Sequence, residues 1–377
     1  CMSGSSRRGS LEVGGWKLDV GERDLPGSVL VAMSGGVDSS LAAALLVEQG
    51  YQVTGVTMHL WAGEEGFPPD DPSCCSLDAA EGARYICQRL GIPHYVWNLA
   101  EEFHSSVVRL FLQEYARGRT PNPCLACNRE IKFGALLRRA RSLGFGFLAT
   151  GHYARIACSE EHGRSVYHLL RGVDRRKDQS YVLYMLGQEE LPCLLFPLGE
   201  MTKTEARREA LRRNLPTASR PESQEICFIP DNDYRRFIAR QLAEASHPGP
   251  IRDLSGKVLG THRGLAGYTV GQRKGLGLPG QRRPLYVIAL DLATNTLVVG
   301  PEEALLRADL EAEAVTFVAG GWPEAPLRAK ARVRYRAPLA AGTLFPQEQG
   351  RVRFVFDIPQ PAIAPGQAAV FYRGEEV

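Results

Sequence analysis

The chain has 377 residues, with 45 Lys and Arg against 42 Asp and Glu and a formal net charge of +3. That length supports two or three domains with a sizeable core, while the near balance of charge excludes bulk electrostatics as a sign of a nucleic-acid partner, so any such sign has to come from local patches. No apolar run approaches the roughly 20 residues of a membrane span, and the nine cysteines, odd in number in a chain too long to need disulfide staples, suggest a reducing, cytoplasmic setting with thiols used for chemistry, metal or packing. Residues 1–27 hold Gly, Ser and Arg but no apolar h-region, and read as a flexible extension rather than a secretory signal. Arg7, Arg8, Ser5 and Ser6 lend weak transit-peptide character, against which the acidic residues of 12–24 argue.

The first element is a short apolar strand, Val29 to Met33, followed by Ser34-Gly35-Gly36-Val37-Asp38-Ser39-Ser40 and an apolar-periodic helix, Leu41 to Gln49, that stops at Gly50. Two glycines let the backbone turn sharply and approach a ligand without a Cβ clash. The helix start turns unsatisfied N–H groups and its positive dipole end into that turn, and the hydroxyls of Ser34, Ser39 and Ser40 add donors, so the segment is an anion cradle. It lacks the lysine of a Walker loop. It resembles the pyrophosphate loop of N-type ATP pyrophosphatases, which split ATP into AMP and pyrophosphate. The plainer reading is a capped helix whose dipole Asp38 complements.

Strand and helix then alternate: a buried strand Tyr51–Met58, a helix Leu77–Leu90 ended by Gly91, a strand His94–Asn98, a helix Glu101–Arg117, a helix Ile131–Leu143 ended by Gly144, and a strand Phe147–Thr150 that runs into Gly151-His152-Tyr153. This is the pattern of an α/β fold with a doubly wound parallel sheet, whose ligands sit beyond the carboxyl ends of the strands. Ser34–Ser40, Met58 and Gly151–His152 each follow a strand end and are expected in one crevice. Met58 alone would read as a core side chain; its position makes it a candidate to line a nucleotide.

Between these helices lies Thr120-Pro-Asn-Pro-Cys-Leu-Ala-Cys-Asn-Arg-Glu-Ile-Lys-Phe133. The prolines forbid helix at its start, so both thiols fall in a loop or a first helical turn. Cys124-x-x-Cys127 fits a redox pair, half a zinc site or cluster ligands, and the absence of a second C-x-x-C argues against a four-cysteine zinc ribbon. Cys227, in Ser223-Gln-Glu-Ile-Cys-Phe-Ile229, has the apolar flanks of a buried inert thiol.

Thr204–Arg213 is a basic helix, read most simply as a solvated face, and Asn232–Ala245 is another helix. Pro248-Gly249-Pro250 marks a boundary, after which glycine is dense and helix is absent to 280. From 285 short strands recur (Tyr286–Leu290, Thr296–Val299, Ala314–Val318, Leu327–Arg336, Val352–Phe356, Ala368–Tyr372), which predicts a small β-barrel or sandwich. Within it Arg328, Lys330, Arg332, Arg334 and Arg336 fall at every second residue, about 6.5–7 Å apart on one strand face, with Ala329, Ala331, Val333 and Tyr335 facing inward. Such a rail suits a phosphate backbone; solubilising charge on an exposed strand is the alternative. The expected divisions are 1–27, a catalytic domain 28–215, a central domain 216–284 and a β-barrel 285–377.

The segments AMSGGVDSS, GVTMHLW, TPNPCLACNREIKFG, ATGHYAR, KDQSYVLYML, ESQEICFI, GYTVGQRKGLGLPG, RVRYR and APGQAAVFY, in this order, make the chain from about 28 to 375 resemble the bacterial tRNA-specific 2-thiouridylases. The resemblance implies an adenine-nucleotide α-hydrolase-like fold and ATP-dependent 2-thiolation of the wobble uridine, position 34, in tRNAs for Lys, Glu and Gln, with a sulfur-relay protein or sulfide as donor. It implies that Ala32, Met33, Ser34, Gly35, Gly36, Val37, Asp38 and Ser39 bind the ATP phosphates and that Met58 and Gly151 line the nucleotide; in the mechanism this suggests, Mg²⁺ held through Asp38 would neutralise the departing charge. Cys127 matches the catalytic cysteine and Cys227 the persulfide carrier, the pair closing a disulfide after transfer. Asn122 and Pro123, with Cys124 beside them, match positions at the target base; His152, Lys177, Asp178, Gln179, Arg334, Tyr335 and Gln367 match tRNA contacts. Many members carry Asp where this chain has Cys124. Cys124, Cys127 and Cys227 are also the ligand pattern with which some related thiolases hold a [4Fe–4S] cluster. The chain is further expected to stop short of the family's last strand. Two rival classes share the loop or the stripe: an ATP-dependent amide-forming synthetase, in which the thiols would be idle, and an ATP-gated RNA-binding protein, which would not need Cys127 and Cys227.

Overall fold

The computed structural model describes residues 11–13, 16–18, 27–60, 77–220, 226–229, 231, 233–242, 247–279 and 283–377. Cys1, Cys74, Cys75, Gly280 and the Ser223–Glu225 part of the Cys227 segment lie outside the described residues. Within the expected N-terminal extension, β1 (Leu11–Val13) and β2 (Trp16–Leu18) pair antiparallel.

The catalytic half is built on a parallel sheet. Its strands are β3 (Ser28–Ala32), β4 (Gln52–His59), β5 (His94–Asn98), β6 (Phe147–Ala149) and β9 (Leu194–Leu195), in spatial order β5-β4-β3-β6-β9. All their pairings are parallel. The chain leaves β3 toward β4 and β5 and later returns on its other side as β6, so the topological switch point lies between β3 and β6, where such sheets bind ligands. Val29, Leu30 and Val31 are wholly buried, as a central strand covered on both faces demands.

Helix α1 (Val37–Glu48) follows β3 and α2 (Leu77–Leu90) follows β4. The next helix, α3, runs through Ala100–Phe103, a π-helical His104–Val108 and Arg109–Ala116. Helix α4 runs through Pro123–Ala126, a π-helical Cys127–Leu136 and Leu137–Ser142. The sequence reading began this helix at Ile131. It starts earlier because Pro123 occupies its first turn, where a missing N–H costs nothing, and Asn122 caps it by accepting the Cys124 N–H at 3.0 Å. An antiparallel hairpin, β7 (Ala154–Glu161) and β8 (Arg164–Arg171), and the helices α5 (Lys203–Arg212) and α6 (Tyr234–Gln241) complete this half.

A four-stranded sheet follows, in order β11-β10-β13-β12, from β10 (Gly249–Arg252), β11 (Val258–His262), β12 (Tyr286–Asp291) and β13 (Thr296–Gly300). The sequence reading grouped the last two with the terminal barrel; their hydrogen bonds join them to the central unit, where Ile251, Val287, Leu297 and Val299 share one core. The terminal unit is an antiparallel sheet of five strands, β14 (Arg307–Ala312), β15 (Leu327–Arg332), β16 (Ala340–Pro346), β17 (Val352–Gln360) and β18 (Val370–Tyr372). Residues 314–318, expected as a strand, are irregular. Ala314 turns through a φ of +53°, and the Val315 N–H leaves the ladder to bond the Gly350 carbonyl at 3.0 Å. Among the described residues no helix is long and apolar enough to cross a membrane.

Candidate active site

At the end of β3 the chain turns through Gly35, whose φ is +70° and whose missing Cβ would lie 2.6 Å from the Ala79 carbonyl oxygen of α2. Only glycine fits that turn. Gly36 is the N-cap of α1. The loop is braced from within: the Ser34 N–H donates to Ser39 Oγ at 3.1 Å, and Ser39 and Ser40 hydroxyls donate to the Gly36 carbonyl at 3.2 and 2.8 Å. Ser40 is wholly buried and its proton is committed, so it shapes the cradle rather than lining it, contrary to the sequence reading. Ser34 is the exposed hydroxyl, while Ala32, Met33, Val37 and Ser39 are buried. Met33 anchors the turn, its N–H bonding the Val56 carbonyl at 2.7 Å. Met58, half-buried on β4, packs at the edge of the largest core.

Asp38, in the first turn of α1, meets two side chains from elsewhere. Lys203 Nζ lies 2.7 and 2.8 Å from its two carboxylate oxygens, and the Tyr153 hydroxyl donates to Oδ1 at 2.8 Å. Gly151 completes the contact: a Cβ there would sit 2.8 Å from the Asp38 carbonyl carbon and Cβ and 2.9 Å from the Ser39 nitrogen. Arg220 reaches in as well, Nη1 donating to the Gly35 carbonyl at 3.1 Å. The loop therefore has cations around it although its own sequence contains none.

Gly151-His152 joins this loop to the cysteine helix. The His152 ring lies 5.9 Å from Phe133 of α4 and 6.0 Å from Phe196, with Nδ1 2.7 Å from the Thr150 hydroxyl. Burial pushes the imidazole well below its ordinary value, and Lys132 adds to the shift. An imidazole at 8 % exposure is a neutral wall between the two regions rather than a surface contact for RNA.

Cys127, at 8 % exposure, belongs to the core that also contains Ala32 at the loop entrance, and Cys227 packs against the same core half-buried. Cys227 is fixed through its neighbour. The Phe228 ring is 5.7 Å from Phe103, 5.3 Å from Phe111 and 5.5 Å from Phe237, each an edge-on pair. Such pairs contribute about 0.5–1.5 kcal/mol each beyond area burial. Cys124 is exposed one turn before Cys127, and all three are thiols here. Among the described residues no group of three His, Cys, Asp or Glu side chains converges on a metal-sized site. As placed, Cys124, Cys127 and Cys227 do not fit a [4Fe–4S] cluster. A single carboxylate such as Asp38, completed by phosphate oxygens, does fit the usual way Mg²⁺ is held.

The residues expected at the RNA lie where α4 meets the terminal sheet. Thr120 is clamped there, its N–H bonding the Pro365 carbonyl at 2.9 Å and its carbonyl accepting from Gln367 Nε2. Burial pushes the Tyr335 hydroxyl up, with Cys124 and Asp178 adding to the shift, and its ring is 5.9 Å from Tyr181. Asn122, Pro123, Cys124, Tyr335 and Gln367 are thus brought together, beside a cleft of about 1200 Å³ that Asn122, Pro123, Arg129, Tyr184 and Gln367 help line.

Asp178 departs from expectation. Its side chain is wholly buried; Oδ1 accepts from the Gly172 and Ser180 N–H groups at 3.2 and 3.1 Å, and Oδ2 takes Arg171 at 3.0 Å and Arg332 at 3.5 Å. It ties the terminal sheet to the catalytic half and is inaccessible to RNA. Gln179 is half-buried, its Oε1 accepting the Tyr153 N–H at 2.9 Å, and Lys177 is half-buried on the same turn.

The basic rail is also revised. β15 ends at Arg332, and residues 333–336 form a turn in which Arg334, Tyr335 and Arg336 are all exposed. Tyr335 lies at the surface with its ring against Tyr181, and not in a barrel interior as the alternation predicts. Arg332 alone of the five is buried, paired with Asp178, while Arg328, paired with Asp357 at 2.7 Å, and Lys330 are exposed on the strand and Arg334 and Arg336 are exposed on the turn.

Sequence reading missed Lys203, Tyr153 and Arg220. The nearest feature was the basic helix Thr204–Arg213, read as a solvated face and starting one residue beyond Lys203; nothing local relates Lys203 to Asp38, 165 positions away.

Family profiles match three consecutive stretches: a tRNA methyl transferase HUP domain over 27–231, a tRNA methyl transferase PRC-barrel domain over 235–301, and an aminomethyltransferase beta-barrel domain over 307–377. The chain is 54 % identical over 361 residues to the tRNA-specific 2-thiouridylase MnmA of Roseiflexus castenholzii, covering 93 % of this chain and 97 % of the relative. It is 52 % identical over 348 residues to the enzyme of the same name from Moorella thermoacetica, covering 92 % and 97 %.

Proposed function

The chain belongs to the tRNA-specific 2-thiouridylase family, and on that premise we propose a mechanism in which its phosphate loop adenylates a tRNA uridine and Cys227 supplies the sulfur. It is a tRNA-uridine 2-sulfurtransferase that uses ATP. The substrate position is the wobble uridine of tRNAs for Lys, Glu and Gln, and the sulfur arrives as persulfide sulfur from a relay protein, or as sulfide that opens a Cys127–Cys227 disulfide and so leaves the persulfide on Cys227. One observation carries the mechanism: Gly151-His152 bridges Asp38 of the phosphate loop to Phe133 of α4, the helix that carries Cys127.

The C2 oxygen of uracil is a poor leaving group. It attacks the α-phosphorus of ATP, the bond to the bridging oxygen breaks, and pyrophosphate departs with that electron pair. Backbone N–H groups at the start of α1 and the Ser34 hydroxyl stabilise the charge. Mg²⁺, when bound, supplies charge neutralisation through Asp38 and the phosphate oxygens. The terminal sulfur of a Cys227 persulfide is then delivered to C2 and AMP leaves with the former oxygen. Cys127 thiolate attacks the inner sulfur of Cys227, forming a disulfide as the S–S bond breaks and its electron pair stays on the sulfur now bonded to C2, and an external dithiol reopens the disulfide. The uridine has to leave its stack to reach the loop, at a cost of a few kcal/mol. Tyr335, exposed near Cys124, offers a surface on which a neighbouring base can stack.

Mass spectrometry of tRNA nucleosides after incubation with ATP and sulfide tests the reading. The wild-type chain yields 2-thiouridine and Cys227→Ser yields adenylated or unmodified uridine. Equal thiolation by both chains would remove Cys227 from the mechanism.

A further inference from the structure

We propose that Lys203 is the cation of the ATP phosphate site, released from Asp38 onto the β- and γ-phosphates and then onto the departing pyrophosphate. The inference rests on the adenylation reading above and extends it to a residue outside every motif that suggested that reading.

The segment from Met33 to Leu41 contains no basic residue. A Walker loop carries its lysine within the loop; here the ammonium comes from the first residue of α5, held 2.7 and 2.8 Å from the Asp38 oxygens. Lys203 is 8 % exposed. A buried ammonium without a counter-charge costs several kcal/mol, so Lys203 stays beside an anion whatever the state of the site. Asp38 is that anion in this structure. A triphosphate seated on the start of α1 brings a stronger one to the same first helical turn.

The backbone of Lys203 is immobilised while its side chain can swing. Its N–H donates to Asp174 Oδ2 at 2.9 Å, and Thr202 and Glu205 close a capping box around the same turn. The four-carbon stem ends in a compact charge with three rotatable donors, suited to exchanging one oxygen partner for another. Tyr153 makes that exchange tolerable for Asp38. Its hydroxyl keeps a hydrogen bond to Oδ1 when the ammonium departs, and its ring centroid lies 5.7 Å from Nζ. In the reaction the bond from uracil O2 to the α-phosphorus forms as the bond to the bridging oxygen breaks. The electron pair ends on pyrophosphate, which needs no proton to leave, and the N3 proton of the adenylated base passes to solvent, so Lys203 acts as a charge and not as an acid.

Titration calorimetry on the full chain, without divalent metal, with ATP, AMP and inorganic pyrophosphate as separate probes, tests this. Lys203→Met is expected to weaken ATP and pyrophosphate by about tenfold or more while AMP changes less than about twofold, and Lys203→Arg recovers part of the loss. Asp38→Asn removes the carboxylate that competes with phosphate for the ammonium and is expected to tighten pyrophosphate, which keeps the proposal testable should Lys203→Met fail to fold. Unchanged ATP and pyrophosphate affinity in Lys203→Met, an equal loss for AMP, or weaker pyrophosphate binding in Asp38→Asn would each overturn it. A wild-type chain that binds ATP and pyrophosphate while only the variants disagree overturns the role of Lys203 alone; one that binds neither overturns the adenylation reading and this proposal with it.

Discussion

Gly151 and Asp38 touch through backbone: a methyl group on Gly151 would lie 2.8 Å from the Asp38 carbonyl carbon. The obstacle is main chain at the start of α1 and has no rotamer by which to yield. Gly151→Ala therefore has to push β6 away from the loop, and overpacking of this kind costs about 1–3 kcal/mol. Expressed at the loop, that is about a tenfold loss of ATP affinity, read by nucleotide titration, with a Tm lowered by only a few degrees. An unchanged ATP affinity would mean that the cradle does not depend on this contact.

Phe228→Ala separates the two halves of the reaction. Phe228 is 1 % exposed among Phe103, Phe111 and Phe237, and it adjoins Cys227. Removing it costs about 3–5 kcal/mol of local packing and releases Cys227 from its position, while the phosphate loop is untouched. Thiolated nucleoside should fall at least about tenfold with ATP binding unchanged. Parallel loss of both would assign Phe228 to global stability alone.

Asp178→Asn tests the buried junction between the catalytic half and the terminal sheet. The change leaves Arg171 and Arg332 without their shared carboxylate, and breaking a buried pair costs about 3–5 kcal/mol. The expected signature is a lower first unfolding transition and faster proteolytic release of the terminal sheet. Wild-type stability with lost tRNA binding would return Asp178 to the RNA contacts in which sequence similarity placed it.

Acid sensitivity follows from His152. Burial holds its folded value well below the ordinary 6.5, with Lys132 adding. Below pH 6.5 the unfolded chain binds a proton that the folded chain refuses, so stability falls as pH drops through that value and continues to fall until the native ring titrates. His94 is lowered as well, by burial and then Arg84, and contributes with the same sign. Denaturant midpoints at pH 7.5 and 5.5 should differ in favour of the former, and His152→Gln should flatten part of the slope. A midpoint that rises on acidification would contradict the buried neutral ring.

The parallel sheet was legible because each strand is a local apolar run and each turn carries its own glycine. The glycine turn between β3 and α1 was legible for the same reason, as all its parts are contiguous. The rail from Arg328 to Arg336 was misread because alternation along a sequence presumes that the strand continues; β15 stops at Arg332, where its partner is β18. Asp178 was misread because nothing near it in sequence reveals that Arg332 will bury it. Lys203 was missed for a related reason: its partner is fixed by how α5 packs on α1, and a lysine at a helix start resembles any solvated charge.

The three cysteines provide the last test, since their roles separate by position. Cys124 is exposed and its N–H is held by the Asn122 side chain at 3.0 Å, whereas Cys127 is buried in the core against which Cys227 packs. A relay needs one thiol to carry sulfur and one to reduce the carrier, and Cys227 and Cys127 suffice for that. Cys124→Ser should therefore keep at least about a third of the thiolation rate, a change worth under about 1 kcal/mol, while Cys127→Ser and Cys227→Ser each abolish multiple turnover in nucleoside mass spectrometry. Single-turnover assay of a preloaded Cys227 persulfide refines the order: Cys127→Ser loses the disulfide, detected as a missing shift on non-reducing gels. If Cys124→Ser is as inactive as the other two, three sulfurs act together, and the α4 start has to rearrange to let them.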